Sequence, residues 1–201
     1  MTDRFREFDV DPITLARRLL GQRLVRRLHG RRLSGTIVEV EAYLGAVDRA
    51  AHAFGGRRTD RNASMYEEGG HAYVYFIYGL HHCLNVVCGR ADEPVAVLLR
   101  ALAPEEGREE MYRRRPAARR DEDLTSGPAR LTQAMGIDRS LDGSDFRTDD
   151  DLRIERVRRR ALPGRLIGSS PRIGVAYAGE WALEPLRFFV KGSPHLSRAS
   201  K

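Results

Sequence analysis

Two glutamates and a tyrosine occupy alternate positions in Ile37-Val38-Glu39-Val40-Glu41-Ala42-Tyr43. Side chains alternate along a strand, so Glu39, Glu41 and Tyr43 would share one face and Val38, Val40 and Ala42 the other. A pair of carboxylates beside an aromatic, on a strand that enters a long loop, is where a site could sit. Taken alone, the same pattern also fits an edge strand with a solvated acidic face. The loop that follows carries Ala51-His52-Ala53-Phe54-Gly55-Gly56-Arg57-Arg58-Thr59, which adds a histidine, a glycine pair and two arginines. Beyond it, Tyr73-Val74-Tyr75-Phe76-Ile77-Tyr78-Gly79 holds three tyrosines. A regular strand sends Tyr75 and Tyr78 to opposite faces, although Tyr78, next to Gly79, could instead protrude from a turn. Buried strand tyrosines are commonly core. Asn85 lies in the apolar run Leu84-Asn85-Val86-Val87 and needs a hydrogen-bond partner there. Arg100, in Val97-Leu98-Leu99-Arg100-Ala101, needs a counter-charge if it is internal, and Glu41 is the natural candidate.

Other constellations carry less. His81, His82, Cys83 and Cys88 suggest zinc, but there is no CxxC pair, and the two cysteines, five residues apart, face opposite ways in a strand. The H-x-E with P-C-x-x-C pattern of zinc deaminases is absent, and no GxxxxGK[ST] follows Gly55-Gly56. The arginine run Arg156 to Arg160 reads as a solvated face that could help hold phosphate.

The elements that must position these residues follow from patterning. Asp11-Pro12 reads as an N-cap and first-turn proline, with Ile13, Ala16, Leu19 and Leu20 at helical spacing and a stop at Gly21. Leu24 to Leu28, the turn His29-Gly30 and Arg32 to Tyr43 predict a hairpin leading into a long strand. Gly45 to Gly70 reads as a polar loop, long enough to be functional rather than idle. Tyr73 to Tyr78, Cys83 to Cys88 and Pro94 to Leu102 predict the centre of a mostly antiparallel sheet. Pro104-Glu105-Glu106 is expected to open a helix ending in Arg113 to Arg115, matched to the macrodipole. Ser126-Gly127-Pro128 is expected to start another that ends near Gly136. Late strands are expected at Leu152 to Glu155, Arg172 to Tyr177 and Leu186 to Val190. Surface loops are expected at Asp142 to Asp151 and Leu162 to Ser170, and a charge-dense break at Arg113 to Asp123. The expected class is α+β in one domain.

Composition fits that frame. The chain has 201 residues, 41% hydrophobic and 31% charged, which excludes disorder for its bulk and allows a sizeable core. No apolar run approaches the roughly 18 residues of a membrane span, and Met1-Thr2-Asp3-Arg4-Phe5 lacks the apolar stretch of a signal peptide. Two cysteines cannot staple a chain of this length, which points to a reduced, cytoplasmic compartment. The net charge of +7 is carried almost wholly by arginine, since lysine occurs only at Lys191 and Lys201. Arginine excess fits either proteome bias or a surface that grips phosphate bidentately, and it tilts the reading toward nucleic acid.

The runs IVEVEAYLG, AAHAFGGRRTDRN, YVYFIYGLHHCLNVV, VLLRALAPEEG, LTSGPARLTQAMGI and RIGVAYAGEW…PLRFFVKGSP, in that order from about Asp11 to Pro194, resemble the alkyladenine (3-methyladenine, N-methylpurine) DNA glycosylases. Two local departures are Val40, where a small polar residue is common, and Ala176-Tyr177, where mammalian members carry Gly-His. The resemblance implies a single domain with a curved antiparallel sheet flanked by helices and no metal or cofactor. It implies that a damaged purine is flipped from double-stranded DNA into a pocket and displaced from its sugar by water. By position, Glu41 corresponds to the carboxylate that activates the water, and Arg100 and the main chain at Ile173 to groups that hold it. Tyr43, His52 and Tyr75 correspond to the groups that sandwich the base, and Tyr78 to the wedge that fills the vacated stack. Asn85 corresponds to a pocket residue that discourages normal guanine.

The chemistry suits those roles. Extruding a base costs about a few kcal/mol, and an aromatic wedge offsets part of it. Alkylation at N3 or N7 makes the purine cationic, so tyrosine faces favour it by up to about 2 kcal/mol when desolvated. An ionised Glu41 can accept a proton from water and oppose the positive charge developing on the sugar. A glycosylase that also nicks the strand needs an amine for a Schiff base, and neither lysine lies in the pocket motifs. The expectation is therefore a monofunctional, monomeric base-excision enzyme, cytoplasmic and associated with the nucleoid. Its substrates are alkylated purines, with hypoxanthine and ethenoadenine as further candidates. A hydrolase of another N-glycosidic bond and a lesion-binding protein that does not cut are the alternatives; the presence of Glu41 weighs against the second.

Overall fold

The computed structural model describes residues 3–77 and 79–197. Asp11 caps α1 (Pro12–Leu19) as its sequence requires: its carboxylate accepts the N–H groups of Ile13 and Thr14. The helix buries Leu15, Ala16 and Leu19 against the central strands. The hairpin of β1 (Arg23–Leu28) and β2 (Arg31–Tyr43) turns at His29-Gly30. The tyrosine-rich segment forms β3 (Ala72–Ile77), paired with β4 (His81–Cys88), which pairs in turn with β5 (Val95–Pro104).

These strands and β6 (Leu152–Glu155) make an antiparallel sheet in the order β3-β4-β5-β2-β1-β6. The second half of β2 leaves β1 and takes β8 (Arg187–Val190) as its new neighbour, with β7 (Ile167–Ser170) beyond it. Glu39 to Glu41 are therefore flanked by strands on both sides, and the sheet is α+β in setting and curled in form. The acidic run is not a solvated edge. Both glutamates are completely buried: Arg100, Arg187 and Ser197 cover Glu39, and Arg100, Tyr43 and the Ile173 main chain cover Glu41.

Pairing between β2 and β5 slips twice. Ile37 faces Leu102, Glu39 faces Ala101 and Val40 faces Leu99, which leaves Val38 and then Arg100 as the extra residue of a bulge. Bulges re-aim side chains, and this one sits where Arg100 meets both glutamates.

Several sequence expectations are corrected. Pro104 ends β5, and Glu105 and Glu106 lie outside the helix, because their carboxylates pair with Arg23 and Arg32 on the β1–β2 hairpin. Helix α2 (Arg108–Arg114) starts after Gly107, with Glu109 and Glu110 as its first-turn acids. The charge-dense break contains a short helix, α3 (Asp121–Thr125), ahead of α4 (Pro128–Met135). The segment read as a loop from Leu162 to Ser170 contains β7. Gly168 belongs there because a Cβ would lie 2.3 Å from the Phe189 ring. Arg172 to Tyr177 is not a strand: Gly174 has φ +82 and the chain turns into a 3-10 segment from Ala176. Among the described residues, no helix is long and apolar enough to cross a membrane.

Candidate active site

Glu41 is the buried end of the site. The Ile173 N–H donates to its Oε1 at 2.8 Å, the Tyr43 hydroxyl donates to Oε2 at 3.0 Å, and Arg100 Nη1 lies 3.2 Å from Oε1. The expected pairing of Arg100 with Glu41 is present, and Arg100 Nε also donates to Glu39 at 3.0 Å. Burial alone would lower the Arg100 guanidinium, but the charges of Glu41 and Glu39 hold it above its ordinary value. Glu39 shows the converse: burial would raise it, but Ser197, Arg100 and Arg187 hold its carboxyl below the usual range. The Ile173 main chain, expected at this centre, gives its N–H to Glu41 itself.

Tyr43, Arg100 and Ile173, the three groups in contact with Glu41, line a cavity of about 410 Å³ whose wall also includes His52, Tyr73, Tyr75 and Asn85. His52 and Tyr75 meet edge to face, with ring centroids 4.6 Å apart. His52 Nδ1 is 2.7 Å from the Tyr73 hydroxyl. Burial, reinforced by the positive charges of Arg61 and Arg57, pushes the His52 imidazole down to about 4, so it is neutral near pH 7. Burial raises the Tyr43 and Tyr75 hydroxyls, so both rings remain protonated phenols. Asn85 pairs with Tyr73 across β3 and β4 and satisfies its amide by donating to the Tyr73 carbonyl at 3.0 Å. Tyr78, the expected wedge, lies outside the described residues.

Three supporting groups were not legible as site residues in the sequence. Asp48 and Arg172 form a completely buried bidentate pair, at 2.5 and 2.9 Å. Arg172 also donates to the Ala42 carbonyl and lies 4.7 Å over the Tyr43 ring. Burial would lower this guanidinium, but the bonds and charge of Asp48 hold it above its ordinary value. Asn62 is buried in the long loop and ties it inward: its amide donates to the carbonyls of His52 and Arg57, and its oxygen accepts the Thr59 N–H. The third is the pair Ser197 and Arg187, whose bonds hold Glu39, itself a candidate from the sequence. Only adjacency offered a signal, since Arg172 directly precedes Ile173 and Asn62 closes the run that contains His52.

The arrangement offers a buried carboxylate held by an amide, a phenol and a guanidinium that border an aromatic pocket. That is suited to holding a planar ring while a proton is removed from a nucleophile beside it.

The chain is similar to proteins named DNA-3-methyladenine glycosylase in mouse and human, at 47% and 45% identity over 94% of this chain. It spans 59% of the mouse protein's length and 66% of the human protein's. A relative from Methanocella arvoryzae, provisionally assigned as a 3-methyladenine DNA glycosylase, is 46% identical over 95% of this chain and 93% of its own length. The family model described as methylpurine-DNA glycosylase (MPG) matches residues 6–194. On that match and those identities, the chain belongs to the methylpurine-DNA glycosylase family.

Proposed function

We propose that this protein is a monofunctional DNA glycosylase of base excision repair, built as one domain over residues 1–201 with its core at about 11–194. It takes an alkylated purine, flipped out of double-stranded DNA, and hydrolyses its N-glycosidic bond. The observation that carries the reading is Glu41: a completely buried carboxylate whose three donors, Tyr43, Arg100 and the Ile173 main chain, themselves line a pocket shared with His52 and Tyr75. Water approaching the sugar gives its proton to Glu41 as the bond to the purine breaks. The electron pair leaves with the base, whose positive charge makes it a good leaving group. Arg100 and the Ile173 main chain hold the carboxylate and the water in line. A neutral His52 adds no charge against a cationic purine, and the tyrosine faces attract it. Asn85 meets the 2-amino group that distinguishes guanine. Tyr78 fills the gap in the stack, a role assigned from its sequence position.

The enzyme acts as a monomer on duplex DNA, located with the nucleoid in the cytoplasm. Carboxylate chemistry suffices for this hydrolysis, so the reading requires neither metal nor cofactor. Hypoxanthine and ethenoadenine are further substrates it accommodates, since the pocket recognises a planar ring by its faces.

The test is base release from duplex oligonucleotides that each carry one lesion: 3-methyladenine, 7-methylguanine, hypoxanthine or ethenoadenine, with EDTA present. The expected result is release of an alkylated purine, with the strand intact until alkali is added. Binding of the lesion duplexes without release of any base would overturn the reading in favour of a lesion-binding protein.

A further inference from the structure

Glu39 is a second completely buried carboxylate, and the proposed hydrolysis gives it no role. Four donors converge on it. Oε1 accepts from Arg100 Nε at 3.0 Å, Arg187 Nε at 2.7 Å and the Ser197 hydroxyl at 2.6 Å, and Oε2 accepts the Ser197 N–H at 2.6 Å. Ser197 Oγ also accepts from Arg100 Nε and Nη2, at 3.4 and 3.2 Å. Ser197 belongs to the segment that follows β8 and folds back across β2 to reach this point.

The network determines how Arg100 can approach Glu41. An arginine beside a lone carboxylate forms a bidentate fork that occupies both oxygens. Here Nε is taken by Glu39 and Nη2 by Ser197, so Nη1 alone is directed to Glu41, on Oε1. Among the described residues, Glu41 Oε2 has the neutral Tyr43 hydroxyl as its one hydrogen-bond donor and can accept a proton. Stability alone does not require such an arrangement, because buried ion pairs are often replaceable by apolar side chains without loss. The bulge at Arg100 points the same way, since it aims the side chain between the two glutamates.

We propose that Glu39 and Ser197 are positioning residues for base release: they hold Arg100 so that it touches Glu41 through one nitrogen, which makes the segment after β8 part of the active centre. The proposal rests on Glu41 acting as the base.

The test is single-turnover base release and lesion-duplex Kd, measured on the full chain. Glu39→Gln should slow release by about 10- to 100-fold, the range for displacing a positioned group, with Kd unchanged. Ser197→Ala should slow it less, because the Ser197 N–H remains on Glu39, and Ser197→Thr, which restores the hydroxyl, should recover the wild-type rate. If Glu39→Gln fails to fold, the two Ser197 variants decide. Wild-type release by Ser197→Ala, or a rate loss matched by an equal loss of DNA binding, overturns the proposal. A Glu41→Gln arm separates the two readings. Full activity there removes the catalytic role of Glu41 itself, whereas an inactive Glu41→Gln beside normal Glu39 and Ser197 variants removes only the positioning role.

Discussion

Asp48 and Arg172 lie 124 residues apart in the chain and meet as a completely buried, doubly bonded ion pair directly behind Tyr43. The pair fixes two things at once. Arg172 covers one side of the Tyr43 ring, and its successor, Ile173, is thereby held with its N–H on Glu41. The Asp48 carboxylate also accepts the N–H groups of Leu44 and Ala50, so the loop that carries His52 starts from a pinned position.

Removing one partner of a buried pair leaves the other charge uncompensated, at a cost of about 3–5 kcal/mol. Asp48→Ala should lose that much stability in urea or thermal unfolding at pH 7, and base release should slow because Ile173 is no longer held. A loss below about 1 kcal/mol, the ordinary value for an exposed pair, would show that the pair contributes little.

His52 gives a pH prediction with a definite sign. Its folded-state value of about 4 lies below the ordinary 6.5, so between these pH values the unfolded chain binds a proton that the folded chain does not. Stability from this residue is fully present above about pH 6.5 and is lost as pH falls toward 4. Wild-type protein should therefore lose stability more steeply than His52→Gln across this interval, measured as denaturation midpoints at several pH values. Parallel curves would mean that the imidazole is not held neutral.

How far the sequence could be read depends on the range of the interactions. Helix α1, the β1–β2 hairpin and the three central strands are local patterns, written in Asp11-Pro12, in the periodicity of Leu15 and Leu19, and in β-rich runs between turn residues. The shared face of Glu39, Glu41 and Tyr43 was legible for the same reason. The double bulge at Val38 and Arg100 was not, because it is a property of two strands and not of either alone. Arg172 to Tyr177 is apolar enough to suggest a strand, but Gly174 turns the chain so that Ile173 can reach Glu41. β7 was hidden by its glycine and serines, which look like loop until Phe189 is placed against Gly168. Glu39 with Ser197, and Asp48 with Arg172, are long-range pairs for which local spacing gives no signal.

Lys191, one of two lysines in the chain, is exposed just beyond β8 and does not line the cavity, and Lys201 lies outside the described residues. Borohydride added during turnover should therefore trap no covalent adduct with lesion DNA, since a Schiff base needs an amine at the sugar. Product strands should break only after alkali or heat. An adduct abolished by Lys191→Arg would contradict the monofunctional reading.

The most direct test is single-turnover base release by Glu41→Gln on a duplex carrying one alkylated purine. Glutamine keeps the shape of the side chain and can still meet Ile173 and Tyr43, but it cannot take a proton from water. Release should fall by at least about 100-fold, the lower end for a general base, while duplex binding survives because phosphate contacts dominate affinity. Release at or near the wild-type rate would contradict the account and move the base to another residue.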